Sequence, residues 1–165
     1  MHEEGNIEEK GLTAVRYPRG AEKVEFSEFH LTTEHLFIRE EKSETLIITY
    51  GRLYNEAYKA QQKLKAEGIN CDILKLTKIF PLENDLGDEI KGYKRIVFFE
   101  ESVGEGGISE KVGDILSELG YCGDYSRVTA HGFVKQASVR SCLEKLGLTD
   151  NKMAEYIRSK SNGKA

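Results

Sequence analysis

Several classes of protein are set aside by what this sequence lacks. It has no tryptophan, only two prolines and only three cysteines in 165 residues. Cys71, Cys122 and Cys142 are odd in number and far apart, so neither a disulfide framework nor a Cys-x-x-Cys metal or redox pair is indicated. They read as reduced thiols that pack like small apolar groups. Positive charge is not in excess either: 24 Lys and Arg face 28 Asp and Glu, for a net charge of −4. A nucleic-acid or anionic-membrane surface wants a basic excess or stripe, and none is present. No apolar run approaches the roughly 20 residues of a membrane span. The opening "MHEEGNIEEKG" is acidic where a secretory leader is basic. A cytoplasmic chain with no membrane or nucleic-acid partner is expected, without internal repeats and without low complexity beyond the tail "RSKSNGKA".

What is present is alternation. "LFIREEKSETLIITYG" holds two short extended runs, residues 36–39 and 45–50, around a polar turn, which reads as a hairpin or strand pair entering a domain. "LIITY" is the kind of continuous apolar run that a parallel sheet buries on both faces. Leu53, Ala57, Ala60 and Leu64 then recur at helical spacing, and Gly68 stands where a helix C-terminal glycine belongs. "NCDILKLTKIF" is the next strand, and Pro81 with "LENDLGDEIK" predicts a proline-started short helix. "KRIVFFEE" is a central strand. The cluster "VGEGG" leads into a helix with Ile108, Val112, Ile115, Leu116 and Leu119 on one face. "SRVTAHG" is a further strand, followed by two closing helices, with Thr149 as N-cap of the last. This grammar predicts an α/β fold, a three-layer αβα sandwich around a mostly parallel sheet. Residues 1–35 stand outside the rhythm and read as the tail of a preceding domain plus a connector. Residues 36–165 form the domain.

Open α/β sheets bind ligands beyond the carboxyl ends of their strands, so the loops "GRLYNE", "TKIFPLE", "EESVGEGG" and "AHGFVKQ" are the places to look. Gly104, Gly106 and Gly107 sit between strand and helix as a dinucleotide fingerprint would, but "GEGGIS" lacks its last glycine and no acidic residue follows at the required distance. The plainer reading is a turn needing positive φ, with Ser109 serving free amides at the helix start or a neighbouring Glu100 or Glu101 doing so. Those two glutamates are adjacent on a strand, point opposite ways and cannot work as a carboxylate pair. His131 could be a general base but has no acid or nucleophile at a telling spacing. His30 and His35 share no face. Tyr50, Tyr54 and Tyr58, four apart, read as a helical rim of the core. A different signal lies in "TAVRYPRG", residues 13–20. Pro18 ends that short strand, and Arg19 leaves it beside a glycine, placed to grip a phosphate or carboxylate in bidentate fashion. Arg16, inside the strand, pairs more naturally with a carboxylate of its own protein.

Together, "GLTAVRYPRG", "LIITYGRLYNEAYKAQQKLKAEGINCDILKLTKIFPLE", "RIVFFEESVGEGGISEKVGDIL" and "AHGFVKQASVRSCLEKLGLT" resemble the C-terminal part of the 1-deoxy-D-xylulose-5-phosphate synthases, over residues 11 to about 160. The same succession is shared with the C-terminal domains of transketolases and of 2-oxo acid dehydrogenase β subunits, where it would serve subunit or partner docking. The glycine loop departs from the Gly-Gly-x-Gly of many synthases, and the connector is unusually acidic. The resemblance implies a transferase using thiamine diphosphate and Mg. It would join the two-carbon remainder of pyruvate to glyceraldehyde 3-phosphate, on the way to isoprenoids, thiamine and pyridoxal. It implies a homodimer of three-domain chains in which this piece is the third domain, inactive when isolated and binding neither cofactor nor metal, since no GDG…N motif occurs. Arg19 then corresponds to the arginine that binds the aldehyde's phosphate.

Overall fold

The computed structural model describes residues 35–82 and 85–162. Five strands form one sheet: β1 (His35–Ile38), β2 (Thr45–Tyr50), β3 (Asp72–Leu76), β4 (Arg95–Val103) and β5 (Asp124–Ala130), in the order β1-β3-β2-β4-β5. Between and after them run α1 (Leu53–Ala66), α2 (Leu86–Ile90), α3 (Ile108–Glu118), α4 (Val139–Leu146) and α5 (Asp150–Asn162). β2, β3, β4 and β5 run parallel to one another, and β1 pairs antiparallel with β3.

Strand alternation sorts the apolar residues into two cores. Ile47, Ile73, Val97 and Phe99 face α1, α4 and α5, packing against Leu53, Leu64, Leu143, Met153 and Ile157. Leu46, Ile48, Leu74, Ile96 and Phe98 face the other way, against Leu86 and Ile90 of α2 and Val112 and Leu116 of α3. This is the expected three-layer αβα sandwich, and it explains why the central strands read as unbroken apolar runs: both faces are covered.

Three local expectations are corrected. Residues 36–39 and 45–50 do not form a hairpin. β2 is flanked on both sides by β3 and β4, and the half-buried β1 takes the outer edge of β3, with His35 opposite Leu76 and Ile38 opposite Ile73. The short helix starts at Leu86 and not at Pro81, because Leu86 and Ile90 supply the i, i+4 apolar pair that the sheet can bury. Tyr50 is not on the helix of Tyr54 and Tyr58. It ends β2 and packs on Phe98 in one core, whereas Tyr54 packs in the other.

At the last helix, Thr149 holds the expected position but turns its hydroxyl to the Glu144 carboxylate. The Asp150 amide donates to Glu56 of α1 at 2.9 Å instead. Asp150 also pairs with Lys63 of α1 and Arg140 of α4. Burial pushes the Asp150 carboxyl up, but these cations outweigh it and hold it below the ordinary aspartate range.

Candidate functional site: the carboxyl edge of the sheet

The chain leaves β2 toward β3 on one side and leaves β4 toward β5 on the other. Strand order therefore reverses between β2 and β4, and the crevice beyond their carboxyl ends is where such a sheet holds a ligand. In this molecule the crevice is filled by its own side chains. The β2–β4 ladder runs from Thr45–Arg95 to Ile48–Phe98. Beyond it, the buried Thr49 hydroxyl donates to the Phe99 carbonyl at 3.0 Å and keeps the strands together. The β4–β5 register then slips: Phe99 faces Val128 and Val103 faces Ala130, so four steps along β4 match two along β5. An irregularity of this kind re-aims side chains, and here it carries Glu100 and Glu101.

Glu100 is buried, at 1% exposure, and lies at the N-terminus of α3. Its two carboxylate oxygens accept from the amides of Ile108 and Ser109, each at 3.0 Å, and Oε1 also accepts from the Tyr50 hydroxyl at 2.8 Å. Burial and then the neighbouring Glu100 carboxylate push the Tyr50 phenol well above its usual range, so it stays a donor. A helix N-terminus attracts anions through free amides and the helix dipole, and this one is supplied from within the chain. Gly107 follows from the same contact: a β-carbon there would stand 2.7 Å from Glu100 Oε2 and 2.8 Å from the Val103 carbonyl. Gly106 takes φ +72°, the left-handed turn expected of the loop. Ser109 does not serve the helix amides with its side chain. Its hydroxyl is buried without a partner, and its own amide goes to Glu100.

Glu101 points the other way, to Arg52 just after Gly51, in a two-pronged pair that raises the Arg52 pKa. The two glutamates thus serve different helices, as adjacent strand residues must. The partnership with Arg52 escaped sequence reasoning. Its signal was an arginine directly after the glycine that follows β2, opposite the acidic end of β4.

His131 is exposed, with Nε2 3.4 Å from the Thr129 hydroxyl. It borders an open groove of about 450 Å³ that Arg127, Lys152, Glu155, Tyr156 and Ser159 also line. Among the described residues no three His, Cys, Asp or Glu converge as a metal site. Burial raises the Cys71 thiol to about 12, consistent with an inert packed group. No described helix is long and apolar enough to cross a membrane. Arg19, Arg16 and His30 lie outside the described residues.

Around the closed crevice the same edge is apolar and open. Ile79 and Phe80 follow β3, Val103 ends β4, and Phe133 and Val139 follow β5. Phe133 is 88% exposed, Phe80 73% and Val103 60%. Each of these exposed residues lies at or after the carboxyl end of a strand.

The described residues form a doubly wound α/β domain in which Glu100 caps the helix at the central crevice and apolar side chains stand exposed around it. The chain belongs to a family with this architecture: the model for "Transketolase, C-terminal domain" matches residues 34–153. Among curated proteins it is similar to the 1-deoxy-D-xylulose-5-phosphate synthase of Carboxydothermus hydrogenoformans, 30% identical over 89% of this chain and 24% of that protein. The synthase of Shouchella clausii is 28% identical over 90% of this chain and 24% of its own length. The chain thus spans about a quarter of the curated relatives it matches. In fold it superposes on a split-gene transketolase solved as an inactive beta4 tetramer, with TM-score 0.66 and 24% identity, covering 76% of this chain and 41% of that one. A Campylobacter jejuni transketolase gives TM-score 0.57 at 10% identity, over 76% of this chain and 18% of its own.

Proposed function

We propose that this chain is the C-terminal domain of a 1-deoxy-D-xylulose-5-phosphate synthase. The whole protein would be a cytoplasmic, homodimeric transferase that uses thiamine diphosphate and Mg to join the two-carbon part of pyruvate to glyceraldehyde 3-phosphate. In this reading the domain supplies assembly contacts, residues 1–35 are the end of the preceding domain and its connector, and Arg19 binds the aldehyde's phosphate at the seam. The observation that carries the reading is the reach of the similarity. A stretch covering 90% of the 165 residues cannot begin later than residue 18. It therefore extends back through Arg19, in proteins named as synthases. The fold neighbours favour neither the synthase nor its alternative, a transketolase or 2-oxo acid dehydrogenase β-subunit domain that docks partners.

The described residues do not fit thiamine diphosphate. The helix N-terminus after the glycine loop, the anion seat that this sheet offers, is taken by Glu100. The test is steady-state kinetics of the longer protein. A charge-assisted hydrogen bond is worth about 1.5–3 kcal/mol, so Arg19→Ala should weaken use of the phosphorylated aldehyde roughly ten- to a hundredfold. Pyruvate use and use of an unphosphorylated aldehyde should change little, and Arg19→Lys should restore part of the loss. An Arg19→Ala protein that handles both aldehydes normally would remove the assignment.

A further inference from the structure

The two lateral edges of the sheet are finished differently. β1 closes one edge with only four residues, and a very short edge strand gives a neighbour little to pair with. β5 closes the other with seven, and among the described residues no strand lies on its outer side. Of those seven only Thr129 is buried, and Arg127 is exposed. The strand is about 20 Å long, room for a partner strand of similar length. Alongside it lies the open groove of about 450 Å³ that His131 borders, whose lining comes from β5, the end of α4 and α5.

The alternation of β5 sorts what an added strand would meet. Val128 packs toward the core of α1, α4 and α5, and Tyr125 toward that of α2 and α3. Arg127 and Thr129 share the Tyr125 side, since side chains alternate along a strand. On the Val128 side the groove is apolar, with Leu146 and Tyr156 beside Val128. The groove's charges do not cancel. Lys152 is paired with Glu155 at 2.8 Å. Arg127 gives one nitrogen to the Gly104 carbonyl at 3.0 Å, and among the described residues no carboxylate pairs with it.

We propose that the outer side of β5 receives an extended, acidic peptide segment of a partner protein as a sixth strand. Main-chain hydrogen bonds to β5 supply the affinity, and the two faces select an alternating sequence. Apolar side chains of the partner lie over Val128, Leu146 and Tyr156, and its carboxylates stand beside Arg127 in a cross-strand ion pair. The same arginine discourages basic and purely apolar strands, as charges on sheet edges do. The proposal is independent of the reaction of the longer protein, because none of these residues belongs to the central crevice.

The experiment is an NMR titration of the 165-residue chain with a peptide of about eight residues alternating glutamate and valine, and with its lysine-and-valine counterpart. The glutamate peptide should give saturable shifts at the amides of residues 126–131 and of α5, with a Kd below about 1 mM. The lysine peptide should bind at least about tenfold more weakly, and Arg127→Glu, with circular dichroism unchanged, should reverse the order. No saturable shift at about 1 mM peptide, shifts confined to other elements, or equal binding of the two peptides would overturn the proposal. Hydrogen exchange gives a second reading that needs no variant. The β5 amides that point away from β4 should exchange fast in the free chain and slow on adding the glutamate peptide. Protection of those amides in the free chain would overturn the proposal, assigning the edge to the chain's own residues if independent of concentration and to a second copy if it grows with concentration.

Discussion

Two parts of the same sheet edge, only a few strands apart, are finished in opposite ways. At the centre, between β2 and β4, nearly every polar group has a partner: Glu100 serves two helix amides and Tyr50, Glu101 serves Arg52, and Thr49 bridges the strands. At the periphery, Phe80, Val103 and Phe133 stand open. A ligand site usually shows the reverse, with unsatisfied polar groups converging in a concave, sheltered centre. The difference teaches that this domain keeps the scaffold of a ligand-binding α/β sheet while its crevice is turned to internal hydrogen bonds and its rim stays apolar and exposed.

The contrast can be broken first at Glu100. Glu100→Ala leaves the Ile108 and Ser109 amides and the Tyr50 hydroxyl without their acceptor in a buried place. The expected loss is roughly 3 kcal/mol in urea denaturation, with Glu100→Gln losing less because one oxygen remains. A loss within about 0.5 kcal/mol of wild type would mean that the crevice is not held by this carboxylate.

A smaller effect is expected from acid. The Asp150 carboxyl is held below its ordinary value when folded, so its contribution is complete above the unfolded pKa of about 3.9. It is lost as pH falls through the lower folded value. Melting curves between pH 7 and 3 should show Tm declining at the acid end, and Asp150→Asn should flatten that limb while lowering stability at neutral pH. An identical acid limb in the variant would place the titration elsewhere.

The smallest effect sharpens the comparison within the crevice itself. Arg52 and Glu101 are each about one-third exposed, and an ion pair of that kind contributes less than about 1 kcal/mol. Arg52→Ala and Glu101→Ala should therefore cost far less than Glu100→Ala, and their cost should shrink with added salt. Equal losses at positions 100 and 101 would show that burial does not separate the two carboxylates.

Much of this was legible in the sequence, and for identifiable reasons. The doubly covered strands announced themselves because "LIITY" and "RIVFF" have no polar face to show solvent, and α1 and α3 because their apolar residues recur on one stripe. Strand pairing was not legible for β1. "HLFI" specifies an extended segment but not its neighbour, and it paired with β3 because both sides of β2 were taken. The role of Glu100 was half legible: a glutamate ending a strand before a glycine turn is a natural acceptor for helix amides. Which of the adjacent pair would turn inward depended on the register slip between β4 and β5, and no local pattern encodes that. The start of α2 was misjudged by giving the proline more weight than the Leu86–Ile90 pair. The rim residues sat in plain view in "KIFPL" and "HGFVK", but only the topology places those loops on one edge.

The central claim is that the crevice where this sheet would hold a diphosphate is closed by the chain's own carboxylate. Isothermal titration of thiamine diphosphate with Mg into the 165-residue chain tests it most directly. The account predicts no saturable heat at cofactor concentrations up to about 1 mM, a Kd weaker than about −4 kcal/mol of binding free energy. Saturable binding with a micromolar Kd would contradict it.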